Sequence, residues 1–196
     1  MEDNFKNGAA GKRDDGILST LVKYFLLYML IAFLGWLWEV LYVRFVYGEF
    51  TDRGFMSMPF CPIYGTAVFS AYFLLGTPQK GRGILKNVKS ALAINLLYLL
   101  FALLIPTLTE IIIGIFFDKA LGVTLWDYSY MPLNFGGYIC LPVSLVWTAA
   151  VYAFMRFAFL PLKNAVFRIP NVIALILAVA LFIAASADAV INFLML

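Results

Sequence analysis

Apolar residues gather into five long runs, covering residues 21–47, 60–75, 90–117, 138–160 and 172–196, with short polar or Gly/Pro-rich connections between them. A helix that crosses a bilayer needs about 20 mostly apolar residues. Four of the runs meet that length, while 60–75 is shorter and carries Pro62 and Gly65 near its start. The run 90–117 is long enough to require tilt or a bend, and Pro106 offers a place for one because it removes a helical hydrogen bond. None of the runs alternates apolar with polar residues, as the strands of a lipid-facing barrel would. The pattern predicts an all-α integral membrane protein with about five transmembrane helices. Residues 1–16, rich in charge and glycine, read as a flexible cytosolic tail, and 17–196 as a single transmembrane helical domain.

Composition sharpens this picture. Of 196 residues, 64% are hydrophobic and only 13% charged, about half the charged share of a soluble domain. The 14 Lys and Arg residues then set orientation, since cytoplasmic loops carry the excess of positive charge. Lys6, Lys12, Arg13, Lys23, Lys80, Arg82, Lys86, Lys89, Arg156, Lys163 and Arg168 fall on one side, and only Arg44, Arg53 and Lys119 on the other. The N-terminus is therefore expected inside a cell membrane crossed several times.

Three acids interrupt the spans: Glu39, Glu110 and Asp188. At about 1.5 Å per residue, they lie roughly 24, 31 and 26 Å from the inner ends of their helices. In a hydrocarbon core about 30 Å thick, all three belong to the outer third. Such groups are costly in lipid and normally face the bundle interior or a wet cavity, although hydration at the nearby interface is an alternative. Gly35, Glu39 and Tyr42 share one helix face, and Gly35 would let another backbone approach there. Arg44 is rotated away from Glu39, so Arg53 in the following loop is the better counter-ion. Trp36 and Trp38 read more plainly as interface anchors.

Both outer connections are rich in glycine, proline and aromatic residues. The first holds Asp52, Arg53, Gly54, Phe55 and then Pro59, Cys61, Pro62, Tyr64 and Gly65; the second holds Trp126, Asp127, Tyr128, Ser129 and then Pro132, Asn134, Gly136, Gly137 and Cys140. This composition predicts non-helical, re-entrant backbone at membrane depth, which is tolerated where protein or water satisfies it. The halves 21–76 and 90–160 echo one another as two-helix repeats, each with a late glutamate, a loop aspartate, a proline and a cysteine opening the next helix, and 172–196 is left as a final helix. Cys61 and Cys140 both fall on the outer side, where a disulfide can persist. Small buried packing residues are the other reading.

Several chemistries are excluded. The chain has no histidine and two cysteines, which removes His-based triads and four-thiolate metal sites. It has no phosphate-binding loop of the G-x-x-x-x-G-K-[ST] form, and a net charge of +3 gives no footprint for nucleic acid. No catalytic residue, cofactor or metal is therefore assigned. The segments 35–42, Arg53-Gly54-Phe55 with Pro59-x-Cys61-Pro62-Ile63-Tyr64-Gly65, and Trp126-Asp127-Tyr128-Ser129 with Pro132-x-Asn134 and Gly137-x-Ile139-Cys140-Leu141 resemble the CmpB-like "putative ABC-transporter type IV" family, which includes the transmembrane protein 229 group. The resemblance covers about residues 33–147 and implies a multi-pass membrane protein labelled a permease. Asp52, Met58 and Tyr138 depart from the family pattern. Where Tyr138 stands the family often has a basic residue, so the change removes a cation from the site and argues against an anionic ligand.

The leading reading is a transport subunit whose outward-facing polar pocket uses Glu39, Arg53, Tyr64, Glu110, Asp127, Tyr128 and Asn134 to bind substrate. With no nucleotide fold of its own, ABC-type transport would need a separate ATPase subunit docking on the basic residues 80–89, and five spans suggest a homodimer or a partner permease in the bilayer. Two alternatives stay open. One is a membrane enzyme that works on lipid or envelope substrates through paired carboxylates. The other is an assembly or sensing module without chemistry, with Glu39 and Arg53 as a structural ion pair.

Overall fold

The computed structural model describes residues 16–48 and 55–195. Among the described residues, four helical rods are long and apolar enough to cross a membrane: Ile17–Phe45, Ala91–Leu121, Leu141–Phe167 and Asn171–Leu194. In helix numbering these are α1 (Ile17–Tyr47), α3 (Ala91–Leu121), α4 (Leu141–Ala153) continued by α5 (Phe159–Phe167), and α6 (Asn171–Leu194). The fifth apolar element, α2 (Pro62–Leu75), has 14 residues and is about 21 Å long, too short to cross alone. The outer end of the bundle is the one assigned to the outside by the charge bias.

Helix ends follow local chemistry. The Ser90 side chain accepts from the Ala93 N–H at the start of α3, and Gly48 and Gly122 end α1 and α3 in the left-handed conformation, with φ of 78° and 69°. Glycine adopts that conformation without steric cost. Helix α3 runs on through Pro106. Between α4 and α5 one wide π turn, Phe154–Ala158, carries the Phe159 N–H to the Phe154 carbonyl. Pro161 lies just beyond it. It has no N–H to give the Phe157 carbonyl, a defect that an α-helix interior tolerates poorly and a π turn absorbs.

Helix α1 packs against α2, α5 and α6, while α3 packs against α2 and α4. The main core lies toward the inner end, where Leu27, Leu75, Tyr98, Met155 and Phe159 are fully buried. Lys23 is there too, only 3% exposed, and its Nζ donates to the Phe167 carbonyl at 3.3 Å. Instead of adding to a free cytosolic surface, this lysine satisfies the last turn of α5, where a cation is favoured. The outward faces of α3 and α6, including Leu96, Leu100, Leu104, Ile176, Phe182 and Ile183, are exposed and apolar, as lipid contact requires.

The connections position the site. The Cys61 N–H donates to the Ala32 carbonyl at 3.2 Å, and Ala32 lies midway along α1. Residues 55–61 therefore descend non-helically beside α1 to mid-helix before α2 begins, and Met56 and Phe60 are buried against Met29 and Ala32. The second outer connection instead forms a two-residue hairpin ladder, β3 (Asn134–Phe135) with β4 (Ile139–Cys140), in register Asn134 with Cys140. A matching inner ladder, β1 (Gly76–Thr77) with β2 (Lys80–Gly81), follows α2. Cys61 and Cys140 occupy the N-cap positions of α2 and α4 and are buried free thiols, so there is no disulfide between them.

Candidate functional site

Because α2 starts at the mid-depth of α1, the outer part of the bundle holds a hollow. It is a cavity of about 210 Å³ walled by α1, the first half of α2, α3, α4 and residues 126–131. At roughly 30 Å³ per water in the liquid, it has room for several waters or one small solute. Glu39 enters from α1 and Glu110 from α3. Among the described residues no Lys or Arg lines it.

Tyr64 organises the α1 side. Its hydroxyl donates to Glu39 Oε2 at 2.9 Å, and its ring lies 4.9 Å from that of Trp147 on α4. The ring is seated on Gly35, where an added Cβ would stand 2.3 Å from Tyr64 Cγ. Gly35 and Glu39 are one turn apart on a single face. One helix thus supplies both the notch for the tyrosine and the acceptor for its hydroxyl. Gly65 repeats the device, because a Cβ there would lie 2.7 Å from the ring of Tyr28, whose hydroxyl donates to the Pro62 carbonyl at 3.1 Å.

On the α3 side, Gly114 lies one turn beyond Glu110, and a Cβ there would meet Tyr138 at 3.0 Å and Trp126 at 3.5 Å. Trp126 Nε1 donates to the Tyr138 carbonyl at 2.8 Å, and the Tyr138 hydroxyl donates to Asp118 Oδ2 at 2.5 Å. That bond to a carboxylate raises the phenol above its usual range. These contacts lay residues 126–131 across the outer mouth of the cavity.

The sequence-derived residues divide into three groups. Glu39, Tyr64, Glu110, Asp127 and Tyr128 line the cavity. Asn134 does not: its amide donates to the Ser129 and Met131 carbonyls at 3.2 and 2.8 Å and accepts from the Gly137 N–H at 3.3 Å, which staples the hairpin. Arg53 lies outside the described residues. Asp127 also has a local task, accepting from the Ser129 backbone and hydroxyl, both at 2.8 Å, and these bonds hold its carboxyl below the usual range. Gly137, with φ of 78°, presses so closely on Asp127 that a Cβ would be 2.9 Å from Oδ1.

Asp188 shares the depth of the two glutamates and not their company. It accepts from the Met58 N–H at 3.2 Å and from Asn192 Nδ2 at 3.2 Å, so it ties α6 to the descending segment, away from the cavity. Trp38, Tyr42, Trp126, Tyr130 and Trp147 line the cavity as well. For Trp38 and Tyr42 the available signal was their position one residue before and three after Glu39. Trp147 could have been read only by its spacing of four from Val143 and Val151 on one face of α4.

Residues 26–193 match the family described as "Putative ABC-transporter type IV". The chain belongs to that family. No curated protein and no solved structure matches it. The type IV family and the apolar rods agree in making this chain a membrane protein related to ABC transporters. The descending segment, Gly35, Tyr64, both glutamates and the 126–140 hairpin all fall inside the matched span.

Proposed function

We propose that this chain is the membrane-embedded subunit of a transport system in the cell membrane, with the cavity between α1, α2, α3 and α4 as its substrate pocket. The observation that carries the reading is the placement of Glu39 and Glu110, from different helices, in one cavity under a folded loop. Carboxylates inside a bilayer are costly and mark solute or ion pathways more often than not. Glu39, Glu110, Tyr64 and Tyr128 hold the substrate, and Asp127 shapes the entrance.

The inner end supports coupling to a separate ATPase. Immediately after α2, the chain forms the 76–81 ladder and a short 3₁₀ turn, Gly83–Leu85, anchored by buried Leu85 and by the Tyr98 hydroxyl donating to the Gly76 carbonyl at 3.2 Å. The surface of this knob carries exposed Lys80, Arg82, Lys86 and Lys89, a docking face for an acidic partner. Helix α2 joins it to the pocket directly, with Tyr64 in its first turn and Gly76 at its end. A second copy or a partner permease covers the exposed apolar flanks of α3 or α6.

The test is transport by the full chain in proteoliposomes, with and without the ATPase that copurifies with it. Solute flux that requires ATP and is abolished by Glu39→Gln is the expected result. A chain that never associates with an ATPase and moves no solute overturns the proposal.

A further inference from the structure

We propose that the cavity is selective for a small organic cation, an alkylammonium group held between aromatic rings and the Glu110 carboxylate. The inference deepens the transport reading and rests on it. Three of the chain's four tryptophans, Trp38, Trp126 and Trp147, line this cavity, and Tyr42 and Tyr64 stand beside them. Aromatic faces are negative at their centres, and boxes of them are how proteins recognise alkylated ammonium groups. The rings come from α1, α2, α4 and the 126–131 loop, so they reach the space from four elements, with Trp38 and Tyr42 also keeping about half their surface exposed.

The charge of the cavity points the same way. Glu110 is half-buried, lines the cavity and accepts no hydrogen bond among the described residues. An acid in that position is suited by a cation that brings its own charge into a site of low dielectric. Glu39, Asp127 and Glu110 make the described charged lining wholly acidic, and a cleft of one sign concentrates the opposite charge. An anion is poorly served, because both helices that begin beside the cavity place a proline in their first turn, Pro62 and Pro142. Each removes an N–H that an anion at a helix start would use. A bare divalent metal is also poorly served, as the described residues hold no cluster of three acid or thiol ligands. The remaining lining, Ile63, Val143 and Val146 among it, suits alkyl groups on the cation.

The tryptophans supply the assay. Purified full-length protein in dodecyl maltoside is titrated with choline and tetramethylammonium, with 3,3-dimethylbutanol as the uncharged counterpart of choline, and with sodium sulfate as the anion, reading intrinsic fluorescence. Saturable quenching by choline and tetramethylammonium is expected, with the uncharged alcohol roughly tenfold weaker or worse. Glu110→Gln and Trp147→Leu should each weaken choline roughly tenfold while circular dichroism stays unchanged. Given saturable choline binding, competition by a short-chain phosphatidylcholine assigns the ammonium to a lipid headgroup, and no competition assigns it to a free solute. Equal binding of choline and the alcohol, or saturation by sulfate alone, overturns the cation selectivity and leaves a substrate pocket standing. If no probe changes the fluorescence, or Glu110→Gln responds like the unaltered chain, the cation site is overturned. Solute flux in the proteoliposome test then decides the fate of the transport reading separately.

Discussion

Gly35→Ala tests how the pocket is built. The added methyl would stand 2.3 Å from Tyr64 Cγ and 2.5 Å from its Cβ and Cδ2, where carbon pairs prefer about 3.5–4.0 Å. These atoms are the root of the side chain, so no rotation of the ring relieves the overlap and α2 itself must retreat by about 1 Å. Such overpacking costs about 1–3 kcal/mol. The same retreat draws the Tyr64 hydroxyl off Glu39, and a hydrogen bond to a charged acceptor contributes about 1.5–3 kcal/mol. A destabilisation of about 3 kcal/mol or more is expected in reversible SDS unfolding of the full chain in mixed micelles. The diagnostic step repeats the substitution in a Tyr64→Gly background, where the obstructing atoms are gone. There Gly35→Ala should be nearly neutral or mildly stabilising, because glycine inside a helix is about 0.5–1 kcal/mol worse than alanine. An equal cost in both backgrounds would refute the close approach of α1 and α2 as the cause.

Three further outcomes follow from the same contacts. Asp188→Ala should leave the Met58 N–H without its acceptor, destabilise by about 1–3 kcal/mol and speed proteolysis within residues 55–61, whereas Asp188→Asn should be milder. Asp127 is held below its ordinary 3.8 by Ser129, so its contribution to the hairpin is complete above that value and is lost as pH falls through the lowered one. Exchange protection of residues 126–138, taken relative to the intrinsic exchange rate at each pH, should thus be steady from pH 7 to 5 and fall only below the ordinary carboxylate value of 3.8, and Asp127→Asn should remove that step. Lys163 donates to the Tyr72 hydroxyl at 2.6 Å and stands 5.0–5.4 Å from the rings of Tyr24, Tyr72 and Phe167. Lys163→Met should cost about 1–2 kcal/mol in the same SDS titration, with Lys163→Arg retaining most of the stability.

The class of fold was legible because a bilayer imposes length and apolarity on each crossing, and counting residues reads both. Counting also gives depth, which is why Glu39, Glu110 and Asp188 appeared on one level. It does not give the direction in which a residue points across the bundle, and Asp188 turns to Met58 while the glutamates turn to the cavity. That direction depends on which helix faces which, a matter of tertiary packing. Gly35 was a partial exception, since a glycine one turn from an acid inside a span signals close approach, though not that a tyrosine ring would fill the notch. Asn134 looked like a ligand because its loop is polar and aromatic. Its amide is consumed by three backbone groups, a pattern that no spacing announces. The brevity of α2 was visible in Pro62, but its consequence, a hollow above its first turn, required the Cys61–Ala32 contact.

The wide turn at Phe154–Ala158 fixes the phase of the rod it interrupts. Trp147 lies before it and Phe159 after it, and both meet aromatic partners on α2, at Tyr64 and Tyr72. One surplus residue lets the two halves of the rod address the same neighbour from one continuous backbone. Removing a single residue from that stretch would restore an ordinary spiral and swing everything above it by about 100°, carrying Trp147 away from Tyr64 and opening the wall of the pocket.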